Sequence, residues 1–209
     1  DHPVSDHRLR IEHAQVLDPN DIPRFSSLGV VPSMQPTHCT SDMYWAEARV
    51  GSKRARGAYA WRSLLNTGVV IAGGSDFPVE HPNPLYGVYA AVTRRDRQGR
   101  PGSAEDMRNF FQTSNEGMED SSAFKDGWYG GQRMTREEAV KSFTRWAAYA
   151  EFGEKEKGTI ESGKLADFVI FSDDIMTIPI KELLNTKVEM SVVGGRSVYK
   201  RDSPVATVH

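Results

Sequence analysis

Cysteine is almost missing: 209 residues hold one, Cys39. A lone thiol cannot build an internal disulfide framework, so the fold must rest on a hydrophobic core. This usage fits a reducing compartment and gives a cytoplasmic protein as the expectation. An excess of either charge is missing too. Lys and Arg number 26 against 28 Asp and Glu, a formal net charge of -2, which leaves no electrostatic footprint for DNA or RNA. No apolar run approaches the ~18 residues a membrane span needs. Neither nucleic acid nor a membrane is therefore expected as a partner. A glycine-rich phosphate loop is also lacking; Gly73-Gly74-Ser75-Asp76 comes nearest, but no GxGxxG or Walker pattern follows. No unit repeats at the roughly 20 to 50 residues of solenoids. The chain opens on Asp1 rather than Met, close to a first strand and without a signal-like leader. It reads as a stretch that starts inside a longer protein.

What the sequence does have is alternation. Arg8 to Ala14 reads as a short strand ending in Glu12-His13. Asp18-Pro19 suits a helix start, and Ile22, Phe25 and Leu28 recur every three residues as one buried face before Gly29. Val30 to Met34 is an apolar strand, broken by Gln35-Pro36-Thr37-His38. Helical segments are expected from Thr40 or Ser41 to Val50 and from Ala58 to Leu65. The tyrosines and tryptophans at 44, 45, 59 and 61 serve mostly as packing. Val69 to Ala72 is a third apolar strand, and Asn83-Pro84 opens a helix through Leu85, Val88, Tyr89 and Val92. Residues 99–133 show no sustained period and read as a long surface loop or insertion. Thr135 to Glu138 forms a capping box before a helix that carries Ala139, Phe143 and Trp146 and ends at Gly153.

From Gly158 the texture changes to short strands: Thr159-Ile160, Ala166 to Phe171, Val188 to Val193 and Ser197 to Tyr199. Gly194-Gly195 reads as a type I′ hairpin turn, and a short helix is expected at Ile180 to Leu184. The strands of the first part are apolar throughout, the mark of parallel strands covered by helices on both faces. The expectation is an α/β unit over 1–157 followed by a small β unit over 158–209.

Three apolar strands thus end in polar groups: Glu12-His13, Gln35 to His38, and Ser75-Asp76. In parallel α/β folds the carboxyl ends of strands face the ligand crevice. Imidazole and carboxylate delivered there are the usual protein ligands of a catalytic zinc, and a carboxylate can also carry a proton between water and a leaving group. Taken singly, His13 reads sooner as a core histidine than as a ligand, Asp76 reads equally as a turn cap, and His38 reads first as an ordinary loop residue. Cys39 reads as a small buried side chain rather than a nucleophile.

The blocks RIEHAQ, SMQPTHCTSDMYW, GGSDFPVEHPNPLYGVYAAVTR, MTREEAVKSFTRWAAYAEF, GTIESGKLADFVIF and VVGGRSVY occur in that order. Together they resemble the C-terminal part of the amidohydrolase superfamily, in the branch called amidohydrolase family 3, with its N-substituted formamide deformylase-like and D-aminoacylase-like enzymes. The resemblance implies strands six to eight of a metal-dependent (β/α)8 TIM barrel plus strands of a small β-sandwich. It implies His13 as the sixth-strand metal ligand and Asp76 as both the eighth-strand metal ligand and the catalytic proton shuttle. His38 would face the substrate. The implied cofactor is a divalent metal, zinc by family expectation. The implied partner is a small amide, formamide or cyclic amide whose C–N bond is hydrolysed, with a homo-oligomer compatible with this reading. No residue here matches the family's HxH pair, its bridging residue or its fifth-strand histidine, and His2 and His7 do not replace them. A barrel of this type needs about 250 residues, and a catalytic zinc usually takes three protein ligands. The chain alone is therefore expected to be inactive. Two alternatives remain: a non-enzymatic truncated homologue acting as an interaction module, and a flavodoxin-like open α/β domain.

Overall fold

Three short strands, β1 (Arg10–Glu12), β2 (Val31–Met34) and β3 (Ala72–Gly73), form a parallel sheet in the order β1-β2-β3. Arg10 lies opposite Val31, Glu12 opposite Ser33, and Met34 opposite Gly73. The structure, a computed structural model, describes residues 6–102 and 124–201. Because the strands are parallel and follow one another in space as in sequence, their carboxyl ends emerge side by side. His13, Gln35 and the Gly74 to Asp76 turn share that rim.

Helices connect the strands. Helix α1 (Ile22–Ser27) buries Ile22 and Phe25, as their spacing predicts. Leu28, the third expected member of that face, is instead exposed. The helix closes before it, with the Leu28 N–H turned back onto the Arg24 carbonyl and Gly29 at φ 62. Helix α2 (Pro36–Asp42) starts inside the stretch expected to be a break. Proline at the first helical position sacrifices no hydrogen bond and brings its φ ready for the helix, so Pro36 ends the strand and begins a helix in one step. His38 is consequently a helical residue. Three short helices follow, α3 (Ala46–Val50), α4 (Ser52–Ala55) and α5 (Trp61–Leu65). Helix α6 (Pro84–Thr93) is capped by Asn83, whose side chain accepts from the Leu85 N–H at 3.0 Å.

The capping box at Thr135 and Glu138 is present and opens α7 (Arg136–Ser142). The expected single helix is broken here, and α8 (Arg145–Ala150) begins afresh. The hydroxyls of Ser142 and Thr144 donate back to the carbonyls of Ala139 and Val140 at 2.7 and 2.8 Å. Such local bonding competes with the helical ladder.

The core gathers between these helices and the sheet. Met34, Cys39, Met43, Trp61, Leu64 and Ile71 are fully buried. Phe124 and Trp128 are equally buried, so the described end of the 99–133 stretch is core rather than surface loop; residues 103–123 lie outside the described residues. Arg94 fixes this segment. It is wholly buried, and its side chain donates to the carbonyls of Trp128 and, at 2.9 Å, Tyr59. Its guanidinium lies over the indole faces of Trp61 and Trp128, 4.6 and 5.4 Å from their centroids. Burial lowers its pKa, while the electron-rich ring faces and carbonyls supply the stabilisation that water would have given.

The second sheet is antiparallel: β4 (Phe168–Phe171), β5 (Val188–Val193) and β6 (Arg196–Lys200), in that order. Gly194 and Gly195 both have positive φ, 56° and 74°, as a type I′ turn requires. Thr159-Ile160 is not a strand. A 3-10 turn at Ile180–Leu184 sends Leu183 into the main core. The Arg136 side chain donates to the carbonyls of Ile175 and Ile178 at 3.0 and 2.8 Å, fixing this segment to α7.

Candidate metal centre

His13 follows β1 directly, and its N–H donates to the Ser33 carbonyl at 2.7 Å, the last rung of the β1–β2 ladder. Asp76 comes three residues after β3, where Gly74 still bonds to the Met34 carbonyl. Both sit in left-handed backbone conformation, His13 at φ 69 and Asp76 at φ 56, and Ala14 at φ 43 extends the strained turn. Asp and His enter this region more readily than most side chains, yet a non-glycine residue there costs of order 1–3 kcal/mol and persists where the surroundings hold it, a recurring feature of functional sites.

His38 joins them from the first turn of α2. One ligand atom from each of His13, His38 and Asp76 can be chosen so that all three lie within 4.8 Å of one another. The two imidazoles stack at a centroid distance of 5.7 Å and 26° between planes. The Nε2 of His38 is 3.8 Å from Asp76 Oδ2, too far for a hydrogen bond. That Nε2 is buried and has no hydrogen-bond partner, whereas the Asp76 side chain is open to solvent. Two imidazoles and one carboxylate meeting at a rim, with a buried nitrogen left unpaired, make a donor set suited to a divalent cation.

Two features around this cluster were not legible as functional. Gln35, buried at the end of β2, holds His13: Nδ1 of His13 and Oε1 of Gln35 are 2.9 Å apart. Behind His38, one helical turn along α2, Asp42 lies in a polar knot. The Gln15 amide donates to Asp42 at 2.7 Å and to the Tyr59 hydroxyl at 2.5 Å, and Tyr59 donates to Asp42. Burial pushes the Asp42 carboxyl up from its usual range, opposed by its bond from Tyr59; burial pushes the Tyr59 hydroxyl up as well, reinforced by the same carboxylate. Gln15 and Gln35 stand within two residues of His13 and of Pro36-Thr37-His38, which was the only available signal. Cys39 is fully buried and its thiol is pushed up to about 12 by that burial, which agrees with a packing role. His7 is exposed, and His2 lies outside the described residues.

A cleft of about 220 Å³ shares α2 with His38. Its walls include Thr37 and Ser41 of α2, Glu80 from the turn beyond Asp76, Tyr86 of α6, and Arg97. The Arg97 guanidinium lies 4.8 Å from the centroid of the Tyr86 ring.

Three parallel strands thus bring two histidines and an aspartate to one carboxyl rim. The family model described as "Amidohydrolase family" matches residues 1–199, and the chain belongs to that family. It is 31% identical over 192 residues to the protein YtcJ of Bacillus subtilis (strain 168), covering 92% of this chain and 32% of that one. To the N-substituted formamide deformylase of Arthrobacter pascens it is 25% identical over 197 residues, covering 92% and 31%. An uncharacterized metal-dependent hydrolase from Pyrococcus furiosus superposes with a TM-score of 0.59 at 26% identity, over 80% of this chain and 29% of that one. The chain thus spans about a third of the length of the curated relatives it matches.

Proposed function

We propose that this chain is the C-terminal part of a metal-dependent amidohydrolase. Completed to a full (β/α)8 barrel, it would hydrolyse a C–N bond in a small amide, formamide or cyclic amide. The observation that carries this reading is the convergence of His13, His38 and Asp76 at the carboxyl ends of parallel strands. In this reading β1, β2 and β3 are strands six, seven and eight of the barrel. The antiparallel strands after residue 157 belong to a small sandwich domain. Family membership and the parallel rim support it.

A divalent ion bound here, zinc on the family's pattern, would supply Lewis-acid polarisation of the carbonyl and acidify the attacking water. The chain's own residues do the rest. His13, held by Gln35, would present an oriented imidazole to the ion. Asp76 would be a further ligand, and its exposed carboxylate is open to the reacting atoms. As the water oxygen bonds to the carbonyl carbon, an Asp76 carboxylate oxygen accepts its proton. The same oxygen then returns that proton to the leaving nitrogen as the C–N bond breaks, giving a carboxylic acid and an amine. General acid–base transfer of this kind is worth about 10²–10⁴ in rate. Asp76→Asn in the full-length protein should therefore lower kcat on N-formyl and N-acyl amines by about that factor; undiminished turnover would overturn the assignment.

A second reading, a non-enzymatic truncated homologue that keeps the scaffold as an interaction module, is motivated by the absence from these residues of the family's HxH pair, bridging residue and fifth-strand histidine. The coding sequence upstream of Asp1 separates the two. An in-frame HxH motif followed by several βα units supports the enzyme, and a stop or unrelated sequence supports the remnant.

A further inference from the structure

We infer that His38 is a metal ligand rather than a substrate contact, and that with His13 and Asp76 it forms a three-donor cation site contained within this chain. The inference rests on the reading of His13 and Asp76 as ligands given above and adds the donor that reading lacks.

Three observations carry it. His38 is buried, with 7% of its surface exposed, and its Nε2 is shut off from solvent. An atom that solvent cannot touch is poorly placed to receive a diffusing amide, yet it faces the same point as His13 and Asp76. The same Nε2 has no hydrogen-bond partner. Leaving a buried ring nitrogen unpaired is costly, and a cation coordinated at its lone pair removes that cost.

The third observation is spacing. Donors around a tetrahedral zinc stand about 3.3 Å apart, given metal–ligand bonds of about 2.0–2.1 Å. The His38 Nε2 to Asp76 Oδ2 gap is 3.8 Å, and one donor atom per residue can be chosen so that no pair exceeds 4.8 Å. Rotations of the exposed Asp76 side chain close the first gap without moving the helix. A direct His38–Asp76 ion pair explains the arrangement less well, because it would draw the two atoms to about 2.8 Å. The polar support behind the ligands agrees with a built site. Gln35 holds His13, and the Gln15–Asp42–Tyr59 knot underpins the turn of α2 that carries His38. Three protein donors and an open position are the coordination of a catalytic zinc site.

The test is cation binding by the 209-residue chain after removal of metal with a chelator. Co²⁺ is titrated by its visible absorption and Zn²⁺ by calorimetry. Wild type should bind one ion per chain. His38→Gln, His13→Gln and Asp76→Asn should each weaken binding at least tenfold, while His81→Gln, an exposed histidine outside the cluster, should not. Circular dichroism and the apo-protein Tm of His38→Gln should match wild type. A readout independent of any variant comes from proton NMR of the Co²⁺-loaded wild type, which should show two strongly shifted exchangeable imidazole N–H signals. If His38→Gln binds like wild type, or only one such signal appears, while the other two substitutions still abolish binding, the inference fails and the metal roles of His13 and Asp76 stand. If wild type binds no cation, the inference fails, while the reading of His13 and Asp76 as ligands in the full-length protein stands; if none of the three substitutions weakens binding, both fail together.

Discussion

The Gln35 side chain decides which nitrogen of His13 can meet a metal. A neutral imidazole carries one N–H, and the bond to the Gln35 amide oxygen places it on Nδ1. Nε2 is then the lone-pair nitrogen. Outer-shell partners of this kind are typically worth 10–100-fold in metal affinity, so Gln35→Leu should weaken Zn²⁺ or Co²⁺ binding by about that factor. Gln35→Glu keeps an acceptor oxygen and should preserve binding; if both variants bind alike, Gln35 is only a packing residue. Cys39, in the next helix, offers a contrasting case. Its thiol is sealed in the core and pushed up to about 12 by burial, so it should resist a thiol reagent at pH 8 in the folded chain and react at once in denaturant. Fast labelling of the native protein would contradict the burial. That His13 and Asp76 would share a rim was legible from the sequence, because each follows an apolar strand and in a parallel sheet all such ends lie side by side. Gln35 was not legible as a partner of His13. That contact joins residues 22 apart and depends on the β1–β2 register, which a pattern of apolar residues does not specify.

Among the elements, the segment around Trp128 departs furthest from its sequence pattern. Its glycine and charge content suggests an exposed loop, yet two large aromatic side chains and the buried Arg94 draw it inward. Gly127 makes this possible: it has φ +100, and a Cβ there would lie 2.1 Å from the Thr93 carbonyl oxygen. Gly127→Ala combines a left-handed backbone cost of roughly 1–2 kcal/mol with a clash against backbone that cannot swing aside. It should destabilise the chain by more than about 2 kcal/mol in chemical denaturation; a change within about 0.5 kcal/mol would mean the segment is loosely held. The capping box was read correctly and gives a pH prediction. The Arg62 guanidinium bonds Glu138 and, with the backbone bond from Thr135, holds its carboxyl at about 2 instead of 4.5. A depressed folded-state pKa contributes stability that is present above the unfolded pKa near 4.5 and lost as pH falls towards 2. Denaturant midpoints should therefore decline over that window, and Glu138→Gln should lower the neutral-pH value while flattening the acid limb. The order and type of most elements were legible because periodicity and caps are local signals. The break in α7–α8, the start of α2 at Pro36 and the inward course of residues 124–134 were not, because each is decided by competition between local bonding and packing.

Viewed whole, the described residues leave apolar surface on two edges. All three residues of β1 are exposed, with Ile11 at 46%, and its outer side has no neighbouring strand among the described residues. The second sheet shows apolar side chains on both faces. Val169 and Ile170 are adjacent on β4, Val198 and Tyr199 on β6, and all four are exposed. Because successive residues of a strand point to opposite sides, neither face is fully covered by another layer, although sheets are stable when each apolar face packs on something. On the proposed reading these are the places where the rest of a barrel and sandwich would pack. An open strand edge with apolar side chains is also a template for association between copies, which natural edges suppress with lysine and other charges. The 209-residue chain at neutral pH should show weight-average mass rising with concentration in sedimentation velocity. Ile11→Lys should suppress the part that comes from strand pairing at β1, and Val198→Lys the part that comes from the second sheet, with folded circular dichroism retained in both. Association that neither substitution reduces would show that contacts lie elsewhere. A wild-type chain that stays monomeric throughout would mean these edges are protected in solution by something other than their own side chains.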